Sequence, residues 1–198
     1  MMAIQRLNEA ARGALLRHYL QLPPADRRLR FGASLSAEAV AEFVRGVDFI
    51  RHGVFAMHDR DLAIIGVAHI GVNDDAAELG LSVLPTHRGA GAGSALFERA
   101  TLYARNRFLS RLYMHCLEEN APIMRIARRF GMHIATARGD AESFLELPPA
   151  SPASIAAEAV TEQFSLLDYL LKSQFAAWRC LAAEAAAPAL SKCSHTAH

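Results

Sequence analysis

The stretch that decides the fold of this chain is Leu79-Gly80-Leu81-Ser82-Val83-Leu84-Pro85-Thr86-His87-Arg88-Gly89-Ala90-Gly91-Ala92-Gly93-Ser94-Ala95-Leu96. An apolar run typical of a strand leads to a turn at Pro85, then to three alternating glycines, then to the apolar spacing of a helix. Glycines let backbone N–H groups approach a ligand closely, and the following helix adds unpaired donors and the positive end of its dipole. The pattern predicts a cradle for a pyrophosphate; the other interpretation is a surface turn rich in small residues.

Two common phosphate-binding loops do not fit these glycines. A Walker A loop ends in Gly-Lys-Ser/Thr, and no lysine follows Gly93. The dinucleotide fingerprint has the spacing G-x-G-x-x-G and an acidic residue about 20 positions further on. Here Gly89, Gly91 and Gly93 are spaced G-x-G-x-G, and no clear acidic partner follows. Neither loop is therefore predicted.

The run from Arg88 to Gly93 satisfies the spacing R/Q-x-x-G-x-G/A. With Val83-Leu84-Pro85 before it, this run resembles the acetyl-CoA loop of the GCN5-related N-acetyltransferases (GNAT). A second motif resembles the family pattern N-x-x-A-x-x-x-Y-x-x-x-G-F; it consists of Glu119-Asn120-Ala121-Pro122-Ile123 and Phe130-Gly131-Met132. The resemblance implies acetyl-CoA as cosubstrate, bound by Leu81, Val83, Arg88, Gly89, Ala90, Gly91, Ala92, Gly93, Ser94 and Asn120.

The resemblance fails at one position. The family's usual tyrosine, a proposed proton donor to the departing thiolate, falls on Ala127. A thiol with a pKa of about 8.5 leaves as thiolate without an obligatory acid. Tyr113 and His115 on the neighbouring strand are alternative donors, although residues in such positions more often pack within a sheet or lie on its surface.

Acetyl transfer also needs a base or a proton-accepting water chain, because a primary amine is almost wholly protonated at neutral pH. Glu78 is predicted as this base, since it shares a strand face with Gly80, whose missing side chain leaves room for substrate. A hairpin closed by residues 73–76 places Gly71 opposite Glu78, and His69 then lies diagonally across from Glu78 at roughly 7–8 Å. The predicted catalytic residues are Glu78 and His69, linked through a water. The structural alternatives are a solvated strand-end carboxylate and a half-buried sheet histidine.

The remaining parts of the predicted site are backbone donors and arginines. A backbone N–H within residues 81–83 is expected to hold the oxyanion, because this strand must splay from residues 111–117 to admit the pantetheine. Arg88 would add charge to the pyrophosphate. The arginines at 125, 128 and 129 either contact the adenosine phosphate or form a solvated basic helix face.

The composition excludes several classes of function. Of 198 residues, 21 are basic and 20 acidic, so the net charge of +1 favours neither nucleic acid nor an anionic membrane. The three cysteines form no C-x-x-C pair, which argues against a disulfide framework or a zinc cage and indicates a reducing cytoplasm. No metal site is expected from the nine histidines, which form neither H-x-H nor H-E-x-x-H. No apolar run reaches the roughly 18 residues of a membrane span, and residues 1–23 lack the regions of a signal peptide.

The order of predicted elements indicates an α+β fold. Helices are predicted at 8–22, after Ser36, at 94–107 and at 122–130, and strands at 54–57, 62–72, 78–83, 111–117, 133–137 and 143–147. Antiparallel strands followed by one strand-helix crossover imply a mixed, mostly antiparallel sheet flanked by helices. This is also the element order of the GNAT fold, so we expect an acetyltransferase domain at 1–149.

One more helix is expected after the proline-rich linker at 148–152, over residues 150–187, ahead of a disordered tail at 188–198. Its apolar residues recur at spacings of three and four: Val160, Phe164, Leu167, Leu171, Phe175 and Trp178. This stripe must bury against its own domain or against a second copy in a homodimer. The mixed charges of the polar face argue against a membrane surface.

These features predict a cytoplasmic N-acetyltransferase that moves an acetyl group from acetyl-CoA directly to a primary amine of a small molecule or a protein lysine. Arg27-Arg28-Leu29-Arg30-Phe31, followed by a helix ending near Val47-Asp48, faintly resembles the acetyltransferase domain of bacterial protein-lysine acetyltransferases. The alternative is a non-catalytic module that binds acyl-CoA, which Ala127 favours.

Overall fold

The computed structural model describes residues 2–73, 75–137 and 139–190. Within them, seven strands form one sheet in the order β1-β2-β3-β4-β5-β7-β6. The strands are β1 (Gln5–Arg6), β2 (Gly53–His58), β3 (Ile64–Asn73), β4 (Ala76–Val83), β5 (Arg111–Leu117), β6 (His133–Ala137) and β7 (Asp140–Glu146). Neighbouring strands are antiparallel except β4 and β5, which are parallel. The predicted mixed, mostly antiparallel sheet is confirmed.

Six α-helices accompany the sheet in the described residues. They are α1 (Arg12–Gln21), α2 (Pro24–Phe31), α3 (Ala37–Arg45), α4 (Ala92–Asn106), α5 (Ala121–Arg129) and α6 (Pro152–Leu190). Three α-helices lie between β1 and β2, whereas the sequence predicts two helices before the strands. The additional helix is α2, which begins at Pro24. A proline in the first turn costs no helical hydrogen bond, and Gly32, with φ +74°, ends α2 in the left-handed conformation.

The helices cover both faces of the sheet. Because side chains alternate along a strand, Phe55 and Ile70 pack with α4 on one face, whereas Val54 and Val67 pack with α1 and α3 on the other. Ser36 caps α3 by accepting a hydrogen bond from the Ala39 N–H, as its sequence position predicted. The central strands are thus fixed from both sides.

A fork between β4 and β5 positions the site. The two strands pair at Ala76 with Arg111, at Ala77 with Leu112 and at Glu78 with Tyr113, and in the described residues the pairing ends there. On its other edge, β4 stays paired with β3 along its whole length. The edge of β4 that faces β5 is therefore open beyond Glu78.

Helix α6 is attached to the domain by its polar side. Glu158 and Ser165 are buried, and Glu158 forms an ion pair with Arg99 of α4 at 3.1 Å. Farther along, Lys172 donates to the His58 carbonyl and Arg179 pairs with Asp61 at 2.5 Å. The predicted apolar stripe faces the other way. It belongs to an exposed surface that we name the α6 apolar face: Ile155, Val160, Phe164, Leu166, Leu167, Leu170, Leu171, Phe175 and Trp178.

Among the described helices, α6 included, none combines the length and the apolar character needed to cross a membrane. Helix α6 continues through positions 188–190. The rest of the predicted disordered tail lies outside the described residues.

Candidate active site

Two cavities meet at the fork between β4 and β5. The first, the loop cavity, has a volume of about 280 Å³ and lies between the glycine loop, α2 and the start of α5. The second, the fork cavity, has a volume of about 800 Å³ and lies between α2, β4, β5 and β7. Arg30 of α2 lines both of them. The two cavities are therefore adjacent, with Arg30 in the wall of both.

The glycine loop has the backbone geometry that the sequence predicted. Gly89 and Gly91 both have φ +84°, which other residues rarely adopt, and Gly91 is the N-cap of α4. A Cβ built at either glycine would have open space around it within the described residues. Gly91 has no side chain that could cap α4. Within the described residues, the first N–H groups of this 15-residue helix therefore stay free to bind an anion.

The structure brings most of the predicted cofactor residues together. Ala90 lies in the same loop, and the other nine line the loop cavity: Leu81, Val83, Arg88, Gly89, Gly91, Ala92, Gly93, Ser94 and Asn120. Arg125 also lines it. These residues cluster because the strand-turn-helix order brings the end of β4 close to the start of α4.

Two of these polar side chains already have protein partners. Arg88 pairs with Asp26 of α2 at 2.9 Å and donates from Nε to the Val83 carbonyl at 3.0 Å. Asn120 caps α5 by accepting from the Ile123 N–H at 3.4 Å, and it donates to the Leu29 carbonyl at 3.3 Å. Arg88 therefore links α2 to the end of β4, and Asn120 links α2 to the start of α5.

The fork cavity contains the predicted catalytic pair. The register is as predicted, with Gly71 opposite Glu78 and His69 opposite Gly80. Glu78 is exposed and occupies the last position at which β4 pairs with β5. It is thus a carboxylate at the point where the two strands separate.

His69 is buried and bonded to a second histidine. Its Nε2 lies 3.3 Å from Nδ1 of His52, and its ring lies edge-on to Phe43. Burial, together with the nearby charges of Arg30 and His52, lowers the pKa of His69 to about 3. Its imidazole is therefore neutral at physiological pH and is a weak proton acceptor, which leaves Glu78 as the stronger candidate base.

The space above Gly80 is occupied. The sequence predicts that this space receives substrate, but a Cβ at Gly80 would overlap the guanidinium group of Arg30. No signal in the sequence indicates this contact, because it depends on how α2 docks against β4. Arg30 is the residue of the site that sequence reasoning missed.

The structure also shows where the alternative proton donors, Tyr113 and His115, lie. Ala127, at the position of the family's usual tyrosine, is fully buried in the main core. His115 lines the fork cavity, whereas Tyr113 packs between His115 and Phe144 and accepts a hydrogen bond from Arg111. Tyr113 is thus part of the sheet surface.

Comparisons with known proteins agree with this geometry. The model of the acetyltransferase (GNAT) family matches residues 23–132. The chain is similar to the GNAT domain of S. lividans PAT, with 22% identity and a TM-score of 0.63 over 73% of this chain and 89% of that one. It is also similar to the ribosomal-protein-S18-alanine N-acetyltransferase from Escherichia coli, with 20% identity and a TM-score of 0.60 over 77% and 97%.

A third similar structure is yncA from Salmonella typhimurium with its cofactor acetyl-CoA, at 18% identity and a TM-score of 0.58 over 76% of this chain and 96% of that one. Among curated proteins, none matches significantly. At these identities the solved structures establish the fold alone. The family model, however, spans more than half of the chain, and with this fold it shows that the chain belongs to the acetyltransferase (GNAT) family.

Proposed function

We propose that this chain is an N-acetyltransferase that uses acetyl-CoA and transfers the acetyl group directly to a primary amine. The observation that carries the proposal is that two adjacent cavities lie at the β4/β5 fork and share Arg30, one beside the glycine loop and one containing Glu78. Direct transfer requires the thioester and the amine to come together at one point. The fork provides such a point.

The residues of the loop cavity fit acetyl-CoA. The uncapped start of α4 and the positive-φ glycines suit a pyrophosphate, because N–H groups and the helix dipole both favour negative charge. The open edge of β4 beyond Glu78, including Leu81 and Val83, would pair with the amide groups of the pantetheine arm. Arg88 would add a positive charge beside the phosphates.

The chemistry assigns one task to each group of the fork. Acetyl-CoA supplies the acetyl group as a thioester, whose C–S bond breaks as the C–N bond forms. The Glu78 carboxylate takes the proton from the amine, so that its lone pair can attack the carbonyl carbon. Backbone N–H groups of residues 81–83 on the open edge of β4 stabilise the oxyanion. The thiolate departs without an acid, in keeping with alanine at position 127.

A non-catalytic acyl-CoA-binding module is the second candidate. Two observations favour it: Ala127 stands in place of the usual tyrosine, and Arg30 fills the space above Gly80. Both candidates bind acetyl-CoA, so only turnover separates them. A module that binds but does not transfer would release no thiol with any amine.

The test is the release of free thiol from acetyl-CoA in the presence of a panel of amines, with the acetylated product identified by mass spectrometry. We expect Glu78→Gln to lower kcat at least tenfold at pH 7, because a positioned base contributes about 10²–10⁴ in rate. The loss should shrink at higher pH, where more of the amine arrives neutral. Glu142→Gln is the matched control, since Glu142 is another exposed carboxylate of the fork cavity.

Acetyl-CoA affinity, measured by calorimetry, should be the same in both variants. An unchanged kcat for Glu78→Gln between pH 6 and 9 would show that Glu78 is not the base. If none of the amines in the panel causes thiol release, the binding module is favoured instead.

We also propose that two copies of the chain associate through the α6 apolar face. Among the described side chains of this helix, nine large apolar ones are exposed in the single chain, while its polar side is attached to the domain.

A further inference from the structure

Arg30 has an unusual place for an arginine. It lines both cavities, and its guanidinium lies against the backbone of Gly80, next to the proposed point of transfer. Its Cζ is 5.0 Å from the centre of the Phe31 ring and 5.6 Å from that of Tyr19. These aromatic contacts hold the cation at the junction.

The charge of Arg30 has no carboxylate partner among the described residues. Two other arginines nearby do have carboxylate partners. Arg28 of the same helix forms an ion pair with Glu119, and Arg88 pairs with Asp26. Within the same described residues, the Nε of Arg30 is buried and has no hydrogen-bond partner. The residue as a whole is half-buried, so an anionic group placed here would form charge-assisted hydrogen bonds with a guanidinium that has no carboxylate partner of its own among the described residues.

The other charges of the fork cavity are negative. Asp140 and Glu142 on β7 line it, together with Glu78. Arg30 is the only lysine or arginine among the described residues that line it. A negatively charged group of a bound molecule would therefore be repelled from β7 and attracted to the junction.

We propose that Arg30 binds the carboxylate of the acceptor, and that the acceptors are free α-amino acids. This inference rests on the proposed acetyl transfer. The reacting amine must reach the thioester beside residues 81–83, and Arg30 lies against Gly80. In an α-amino acid a single carbon separates the amine from the carboxylate, so both groups fit this spot. The amine of a protein lysine stands at the end of a four-carbon stem and has no anion beside it.

The test compares matched acceptors with the full-length protein at saturating acetyl-CoA. Each L-α-amino acid is paired with its own carboxamide and with its decarboxylated amine, and kcat/KM is measured by thiol release. We expect the amino acid to be preferred over its amide at least tenfold. Arg30→Met should remove this preference, and Arg30→Lys, which keeps the charge without the planar fork, should retain part of it. Arg28→Met is the control on the same helix and should keep the preference intact.

Three results would overturn the proposal. The first is equal turnover of amino acids, amides and amines by the wild type. The second is an equal loss in Arg30→Met for every acceptor, which would place Arg30 on the thioester. The third is preferential turnover of a lysine peptide. Thermal unfolding by circular dichroism and acetyl-CoA affinity by calorimetry check that both Arg30 variants are folded and bind cosubstrate.

If no acceptor is turned over, the proposed transfer is contradicted. The proposed role of Arg30 is then tested by measuring the binding of acceptors. Saturation-transfer NMR of the CoA-loaded protein then compares each amino acid with its amide. Binding that depends on both the carboxylate and Arg30 would support the assignment of the anion site. Binding that is independent of the carboxylate would overturn it.

Discussion

Gly91 is the residue at which the phosphate loop becomes a helix. Its φ of +84° turns the chain so that the first N–H groups of α4 are left free at the loop cavity. An L-residue in this left-handed conformation costs about 1–2 kcal/mol. A side chain there would also enter the space in which a pyrophosphate must approach the backbone. Substitution therefore has two separable effects, one on stability and one on ligand binding.

We expect Gly91→Val to abolish acetyl-CoA binding in calorimetry while lowering the free energy of unfolding by about 1–2 kcal/mol. Gly139→Val is the matched control, because Gly139 also has a positive φ, of +91°, and also has open space around a Cβ within the described residues. It lies in the turn before β7, away from the glycine loop. The control should lose similar stability and keep its affinity. Equal affinity in both variants would show that the loop does not hold the pyrophosphate.

Single residues also show which properties of the site could be predicted from the sequence and which could not. The pairing of His69 with Gly80 and of Gly71 with Glu78 was predictable, because a short loop fixes the register of a hairpin and side chains alternate strictly. The low pKa of His69 was not predictable, since it depends on burial and on Arg30, which is 39 positions away in sequence. Local sequence spacing predicts the face of the strand on which a residue lies, whereas the pKa of that residue depends on the side chains packed around it.

The same limit appears at the scale of elements. The end of α1 was predicted within one residue, at 22, but Pro24 then starts α2, and this helix brings Arg30 over Gly80. The apolar stripe of α6 was predicted from the spacing of its residues, but the sequence did not predict that this stripe faces away from the domain. A period of 3.6 shows that a helix has two faces, and only long-range contacts decide which face meets the domain.

Helix α6 is attached through a buried ion cluster. The Arg99 side chain is 2% exposed, stacks over the Phe55 ring at 4.3 Å and pairs with Glu158. Glu158 also accepts hydrogen bonds from Arg107 at 2.8 Å and from Asn106 at 2.9 Å. Glu162 reaches the same guanidinium at 2.8 Å, but its side chain is 45% exposed. The two glutamates share one partner and differ in burial.

We expect Glu158→Ala to lower the free energy of unfolding by about 2–3 kcal/mol, because it leaves the buried Arg99 with one partner and removes the acceptor of Arg107 and Asn106. Glu162→Ala should cost less than about 1 kcal/mol, since water screens an exposed pair. Urea denaturation of both variants measures the difference. Equal losses would mean that burial of the cluster does not control the attachment of α6.

At the scale of the whole molecule, the α6 apolar face is too large for an ordinary monomer surface. It contains nine large apolar side chains, with exposed fractions from 42% at Phe164 to 68% at Trp178. With roughly 100 Å² exposed on each, two copies would bury on the order of 2,000 Å² together, which is enough for a stable dimer. Monomers rarely expose a continuous apolar patch of more than about 300–600 Å². A second copy of α6 offers a matching surface.

We therefore expect the wild type to have twice the mass of a single chain in light scattering, and Leu167→Glu combined with Leu171→Glu to halve that mass. Charges placed in the centre of the contact would have to be buried unpaired, whereas in a monomer they would lie in water. Leu20→Glu is the control, because Leu20 is another exposed leucine, on α1. It should leave the mass unchanged. The double variant should keep its affinity for acetyl-CoA, since α6 contributes no residue to either cavity among the described residues. A wild type that stays monomeric at its highest soluble concentration would rule out self-association through α6.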